Sequence, residues 1–125
     1  MKYLQDIISK KGKVLENDIL KVDCFLNHQI DTKIMDEIGK EFSNIFKNIK
    51  PTKILTVETS GVAIAQATAI HMGYLPVVFA KKQNHLNMDD SCFMCEERSY
   101  TEATKRIVKV AKEYLNESVL FFGIT

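Results

Sequence analysis

Between Lys53 and Gly61 the chain reads Lys-Ile-Leu-Thr-Val-Glu-Thr-Ser-Gly, a short apolar, β-branched run that ends abruptly in small hydroxyl residues and a glycine. An alanine-rich segment with helical character follows at once, from Val62 to Met72. A strand, a tight small-residue turn and a helix in that order leave few folds open. The first N–H groups of a helix lack intrahelical acceptors, so here they point back into the turn and make an anion site. A phosphate or diphosphate is the natural guest. Pro76-Val77-Val78-Phe79-Ala80 then supplies a second buried strand. The unit is therefore βαβ, which predicts parallel strands and a right-handed crossover.

Upstream, Leu4, Ile7, Ile8 and Lys11 fall at helical intervals over Lys2 to Lys11, and Gly12 is placed to cap that helix at its C-terminus. Val14 to Phe25 mixes apolar and charged residues without a clean period. Asp31 is an N-cap residue for the next helix, where Ile34, Ile38, Phe42, Ile45, Phe46 and Ile49 form one stripe over Thr32 to Asn48. Lys50-Pro51 closes it. Downstream, Lys81 to about Glu97 is polar and reads as a long loop. From Ser99 the pattern is helical: Ser99 and Glu102 fit a capping box, and Ile107, Val110, Ala111 and Tyr114 keep the period. Val119-Leu120-Phe121-Phe122 is a third apolar strand, followed only by Gly123-Ile124-Thr125. A parallel sheet needs cover on both faces and delivers its ligand loops at the carboxyl ends of its strands. The pattern thus reads like half of a doubly wound domain.

The chain's 125 residues amount to one domain. Seventeen basic and sixteen acidic side chains leave it near neutral, without the electrostatic footprint of a nucleic-acid binder. The longest uncharged stretch, Ile64 to Ala80, is interrupted by Gly73 and Pro76 and reads as no membrane span. Asp6 interrupts the N-terminal segment where a signal peptide needs an apolar core. Three cysteines, Cys24, Cys92 and Cys95, favour reduced thiols in the cytosol. Cys92 and Cys95 have CxxC spacing but no second ligand pair, and His28, His71 and His85 share no metal-type spacing.

Four segments carry a family resemblance. They are Ile19-Leu20-Lys21-Val22-Asp23 with Phe25-Leu26-Asn27-His28-Gln29-Ile30-Asp31, then Glu58-Thr59-Ser60-Gly61, then Pro76-Val77-Val78-Phe79-Ala80-Lys81-Lys82, and more weakly Ser99-Tyr100-Thr101. Together they resemble the xanthine phosphoribosyltransferases, purine-salvage enzymes of the type I phosphoribosyltransferase fold, from the first residues to about Leu120. The Asn-His-Gln-Ile-Asp block is the specific part. The resemblance implies a single, incomplete α/β domain, Rossmann-like with a mainly parallel sheet and its C-terminal part missing. Residues 1–50 would form an N-terminal helical hood and first helices, and 51–125 a partial core with a flexible loop.

It also implies site residues. Leu20 and Asn27 would contact the purine, an apolar face for the ring and an amide for its polar edge. Thr59, Ser60 and Gly61 would hold the diphosphate of phosphoribosyl pyrophosphate, with Lys81, and Lys82 beside it, as a basic pair. Magnesium would travel with that substrate, without an assigned protein ligand. Lys82 to Thr101 would close over the reacting ribose, and β-hairpin structure would run to about Val110, which leaves Thr104 to Leu115 open between strand and helix. A cytoplasmic homodimer transferring ribose 5-phosphate to xanthine, and releasing pyrophosphate, is the implied function. Catalysis of this kind rests on positioning and electrostatics, so no nucleophile is expected. The family's acidic pair and phosphate-cradling turn should follow the third strand, where this chain has Phe121-Phe122-Gly123 and stops. That departure reads as truncation and leaves a second reading: a catalytically dead relative acting only as a purine-binding or dimerisation module.

Overall fold

The computed structural model describes residues 2–83, 91–98, 105–115 and 119–122. Its centre is β3 (Lys53–Val57), flanked on both sides by parallel partners, β4 (Val77–Gln83) and β7 (Val119–Phe122). Beyond β4 the sheet turns antiparallel through β6 (Lys105–Ala111) and then β5 (Cys92–Arg98), giving the order β5-β6-β4-β3-β7. The β3–β4 crossover is α3 (Gly61–His71), as the βαβ pattern predicts.

Ile54 and Thr56 of β3 are fully buried, and Ile54 packs beneath Ala65 and Ala69 of α3. The small side chains of α3 let a second helix, α2 (Thr32–Phe46), settle on its other side. Ile34, Met35 and Ile38 of α2 share one core cluster with Ile64, and Phe42 and Phe46 reach the cluster around Ile54. At the crossing, Gly39 is so close that a Cβ there would lie 2.5 Å from the backbone carbon of Ala67. Asp31 caps α2 through its side chain, which accepts from the Ile34 N–H at 3.2 Å.

Ahead of α2, residues 2–31 carry α1 (Lys2–Lys11), a small hairpin of β1 (Lys13–Val14) and β2 (Leu20–Lys21), and a π-helical turn at Asp23–Asn27. The hairpin tip places Asn17 and Asp18 at positive φ, a conformation their short polar side chains tolerate. Phe25, almost fully buried, anchors this hood to the α2–α3 core, with Tyr3, Leu4, Ile7 and Ile8 of α1 packed around it. The segment without a clean period is thus short strands and a tight turn, each too brief to print a periodicity.

Two sequence expectations are corrected. The polar stretch after Lys81 is not one long loop: β4 continues to Gln83, and β5 occupies Cys92–Arg98. An edge strand carries polar residues because one side of its ladder faces solvent. The helical reading from Ser99 fails over Lys105–Ala111, which is β6 and pairs with β4 and β5 at once. Ile107, Val108 and Val110 suit a pleated surface, and two flanking ladders override local helix propensity. The strand alternative, which the resemblance implied, holds there, and a 3₁₀ turn at Lys112–Tyr114 ends it. The capping-box pair Ser99 and Glu102 lies outside the described residues, as does Ser99-Tyr100-Thr101.

Candidate functional site

The turn between β3 and α3 forms where the hydrophobic strand ends. Glu58 continues the ladder, its N–H donating to the Ala80 carbonyl at 3.1 Å, and its carboxylate accepts the Lys82 N–H at 2.5 Å. Glu58 therefore ties the end of β3 to β4, and the peptide bond between Glu58 and Thr59 is cis. Thr59 is exposed, Ser60 partly buried and Gly61 buried at the start of α3. Ser60 precedes the helix without capping it through its own side chain, and the Val62 N–H donates to the Thr59 carbonyl at 3.3 Å. A first turn without a side-chain cap, at the carboxyl edge of a parallel strand, leaves its remaining N–H groups at a position where the helix dipole favours an anion. Lys81 follows Ala80, the residue paired with Val57, and is exposed one strand away. The structure thus brings Thr59, Ser60, Gly61 and Lys81 to the same end of the sheet, with Lys82 beside them.

Leu20 and Asn27 belong to the hood, on β2 and at the end of the π-helical turn. Leu20 pairs with Val14 across the hairpin, and both are exposed on one face, at 45% and 73%. Leu20 rests against Gly12: a Cβ on Gly12 would stand 3.2 Å from its Cδ1. Asn27 is exposed at the end of the π-helical turn. On the other face of the hairpin, Lys13 and Lys21 border a cavity of about 480 Å³, completed by Lys11, Asp23, Cys24, His28 and Gln29. Neither Leu20 nor Asn27 lines that cavity, although Asp23, Cys24 and His28 flank Asn27 in the chain. Lys11 pairs with Asp31 at 3.3 Å and Lys21 with Asp23 at 3.6 Å. The N–H of Ile34, donated to its carboxylate, holds Asp31 below the usual carboxylate range, with Lys11 reinforcing the shift.

Among the described residues no three His, Cys, Asp or Glu side chains converge as a metal site. Cys92 and Cys95 are both on β5, three residues apart, so they point to opposite faces. Their Cα atoms are separated by about 10 Å of strand, beyond disulfide reach. Sequence reasoning missed Lys109, a buried lysine on β6 directly opposite Lys81. A lysine set between Val108 and Val110 was its signal, hidden by the helical reading of that segment. It also missed the part that Glu58 plays in fastening the turn to β4.

The arrangement has close counterparts among solved structures. It superimposes on adenine phosphoribosyltransferase from Trypanosoma brucei, solved with AMP, pyrophosphate and ribose-5-phosphate, with a TM-score of 0.67 over 94% of this chain and 53% of that one, at 18% identity. The enzyme from Giardia lamblia, complexed with 9-deazaadenine, gives a TM-score of 0.68 over 91% of this chain and 64% of that one, at 17% identity. At such identities the likeness concerns the fold alone, and that fold is the type I phosphoribosyltransferase fold. No family model matches the chain. Its sequence, however, is 48% identical over 117 residues to xanthine phosphoribosyltransferase 1 of Clostridium perfringens, covering 94% of this chain and 62% of that protein. The xanthine phosphoribosyltransferase of Clostridioides difficile matches at the same 48% and the same 62% coverage, and that of Clostridium tetani at 46%. The chain is a sequence relative of the xanthine phosphoribosyltransferases that spans about three-fifths of their length. No described helix is long and apolar enough to cross a membrane.

Proposed function

We propose that the chain serves xanthine salvage, binding xanthine under the hood and the diphosphate of phosphoribosyl pyrophosphate at the β3–α3 turn. The observation that carries this reading is the start of α3 at Ser60 and Gly61, without a side-chain cap from Ser60, with the exposed Lys81 on the adjoining strand. Thr59 and Ser60 offer hydroxyl donors, the Gly61 backbone offers an N–H, and Lys81 supplies a charge for the departing diphosphate. Charge-assisted contacts of this kind stabilise a leaving group without covalent participation by a side chain. Magnesium would come with the diphosphate as part of the substrate, without an assigned protein ligand. In the hood, the Leu20 side chain presents an apolar surface to the purine ring and Asn27 an amide to its edge. The protein acts in the cytoplasm as a homodimer.

The test has two parts. A coupled assay with xanthine, phosphoribosyl pyrophosphate and magnesium reads xanthosine 5'-monophosphate, and calorimetry reads the binding of pyrophosphate and of xanthine. Turnover is the expected result. Binding of xanthine without turnover and without pyrophosphate binding would instead assign the chain to the purine-binding remnant. No binding of either ligand would reject both readings.

A further inference from the structure

The cavity of about 480 Å³ in the hood belongs to neither half of the proposed site: Leu20, Asn27, Thr59, Ser60, Gly61 and Lys81 are all absent from its lining. Its volume is that of a small-molecule site, which spans roughly 300–1,000 Å³. Such sites are mostly apolar, yet here, the Cys24 thiol aside, only charged or hydrogen-bonding side chains border the space. That lining selects a ligand that is itself charged and polar.

The sign of the charge follows from the ion pairs. Lys13 and Lys21 are directly opposed in the β1–β2 ladder, so their Cβ atoms stand about 4.5–5.5 Å apart on one face of the hairpin. Lys11, at the end of α1, borders the same space. Lys21 is paired with Asp23 at 3.6 Å and Lys11 with Asp31 at 3.3 Å, whereas Lys13 has no carboxylate partner among the described residues. Three ammonium groups against two carboxylates leave one positive charge in excess. The two paired lysines are about half exposed, at 47% and 48%, and an ammonium has three donors, so each keeps N–H groups for a ligand. An anion seated at Lys13 can thus also draw on Lys21 without breaking its pair.

The rest of the lining has a different chemistry. The π-helical turn and the residues after it contribute the Asp23 carboxylate, the His28 imidazole and the Gln29 amide. This segment is tied in place: the Cys24 thiol donates to the Lys11 carbonyl at 3.4 Å, and the Gln29 side chain donates to the Cys24 carbonyl at 2.9 Å. The Gln29 N–H donates to the Asp23 carbonyl at 2.8 Å, and buried Phe25 fixes the turn to the core. A carboxylate here repels a bare anion but accepts from a hydroxyl. Ammonium groups from the hairpin and acceptors from the turn fit one molecule with a phosphate at one end and hydroxyls at the other.

We infer that the hood cavity binds a sugar phosphate, its phosphate held by Lys13 with Lys21 and its hydroxyls by Asp23 and Gln29. A phosphate monoester carries about −1.5 to −2 charges at neutral pH, enough to offset the excess charge at Lys13. The inference does not rest on the diphosphate reading of the β3–α3 turn.

A nitrogen-15 NMR titration of the whole chain with glucose 6-phosphate, inorganic phosphate and glucose tests it. Glucose 6-phosphate should shift the amide signals of Lys13, Lys21 and His28 to saturation and bind about tenfold more tightly than inorganic phosphate, while glucose leaves those signals in place. Lys13→Met should weaken glucose 6-phosphate about tenfold and flatten its dependence on salt. A melting curve monitors the fold, and Lys13→Gln carries the same expectation should the methionine variant fail to fold. Asp23→Asn should act with opposite sign on the two anions, tightening inorganic phosphate and abolishing the advantage of the sugar. Equal affinity for the two anions in the parent, or parent-like affinity in folded Lys13→Met, would overturn the inference. Shifts confined to Gly61 and Val62, shifts scattered over all surface lysines, or no shift with any of the three probes would overturn it equally.

Discussion

Gly39→Ala is expected to loosen the α2–α3 contact on which the candidate site is built. The new methyl would stand 2.5 Å from the Ala67 backbone carbon, 2.7 Å from its Cβ and 2.7 Å from its carbonyl oxygen. Contacts this short need a shift of about 1 Å to become ordinary van der Waals separations. Two of the three obstructing atoms are backbone, so no rotamer change on α3 relieves the clash and the helices themselves must part. Overpacking a tight core costs about 1–3 kcal/mol, and a backbone obstruction belongs at the upper end. Alanine would return about 1 kcal/mol of helix propensity at the same position. The net expectation is a loss of about 2 kcal/mol, seen as a fall of about 5–10 °C in melting temperature. Parting the helices also frees Ile64 from Ile34 and Ile38, so the first turn of α3 should lose pyrophosphate affinity along with stability. Paired melting curves and pyrophosphate titrations of parent and variant make the measurement. A variant that melts at or above the parent temperature would refute the close approach of α2 to α3.

The remaining expectations are more local. Asp31→Ala should lower the melting temperature at neutral pH by removing the cap on the Ile34 N–H. Because the folded state holds the Asp31 carboxyl below its ordinary value, its contribution is complete above about pH 4 and disappears as pH falls through the depressed value. The gap between parent and variant should therefore close on acidification, and a gap that widens would contradict the cap. Lys81→Met should weaken pyrophosphate binding most at low salt, and an effect unchanged by salt would remove electrostatics as its cause. Mild oxidation should produce no intramolecular Cys92–Cys95 disulfide, and an intact mass that has lost two hydrogens, mapped by peptide analysis to that pair, would contradict the strand assignment of β5.

Legibility in the sequence tracked the distance over which each element's causes act. The stripe positions Ile34, Ile38, Phe42 and Phe46, the cap at Asp31 and the strand–turn–helix at Val57 to Gly61 depend on neighbours in the chain and appear where the pattern placed them, whereas Ile45 and Ile49 of the same stripe are exposed and the α-helix stops at Phe46, short of Asn48. Lys105–Ala111 does not belong to that group. Its helical spacing of apolar residues is genuine, but the decision was made by β4 on one side and β5 on the other, distant segments that no local window contains. The hood hairpin escaped for the opposite reason: two-residue strands are shorter than any period. The candidate site residues follow the same division. Thr59, Ser60 and Gly61 announce themselves through turn chemistry, whereas the meeting of Lys81 with Lys109 is a property of register alone.

The two halves of the candidate site are also held by different kinds of structure, and this bears on what each does. The β3–α3 turn is fixed by backbone and core: the ladder bond from Glu58 to Ala80, the carboxylate of Glu58 on β4, and the buried Ile54, Ala65 and Ala69 of β3 and α3. A rigid mount suits a group that must meet developing charge without reorganising. The hood is fastened chiefly through Phe25 and the apolar side of α1, while Val14, Leu15, Ile19 and Leu20 remain substantially exposed on the hairpin. Few buried contacts and a two-pair ladder put the hairpin at the low-stability end of the molecule. A purine base laying its ring face on Val14 and Leu20 would bury that surface and stiffen the hairpin. Xanthine should thus protect the amides of Leu15 and Leu20 from hydrogen exchange, whereas pyrophosphate should protect those of Gly61 and Val62. Protection of both sets by either ligand alone would mean that hood and turn move as one body, against the separate anchoring described for them.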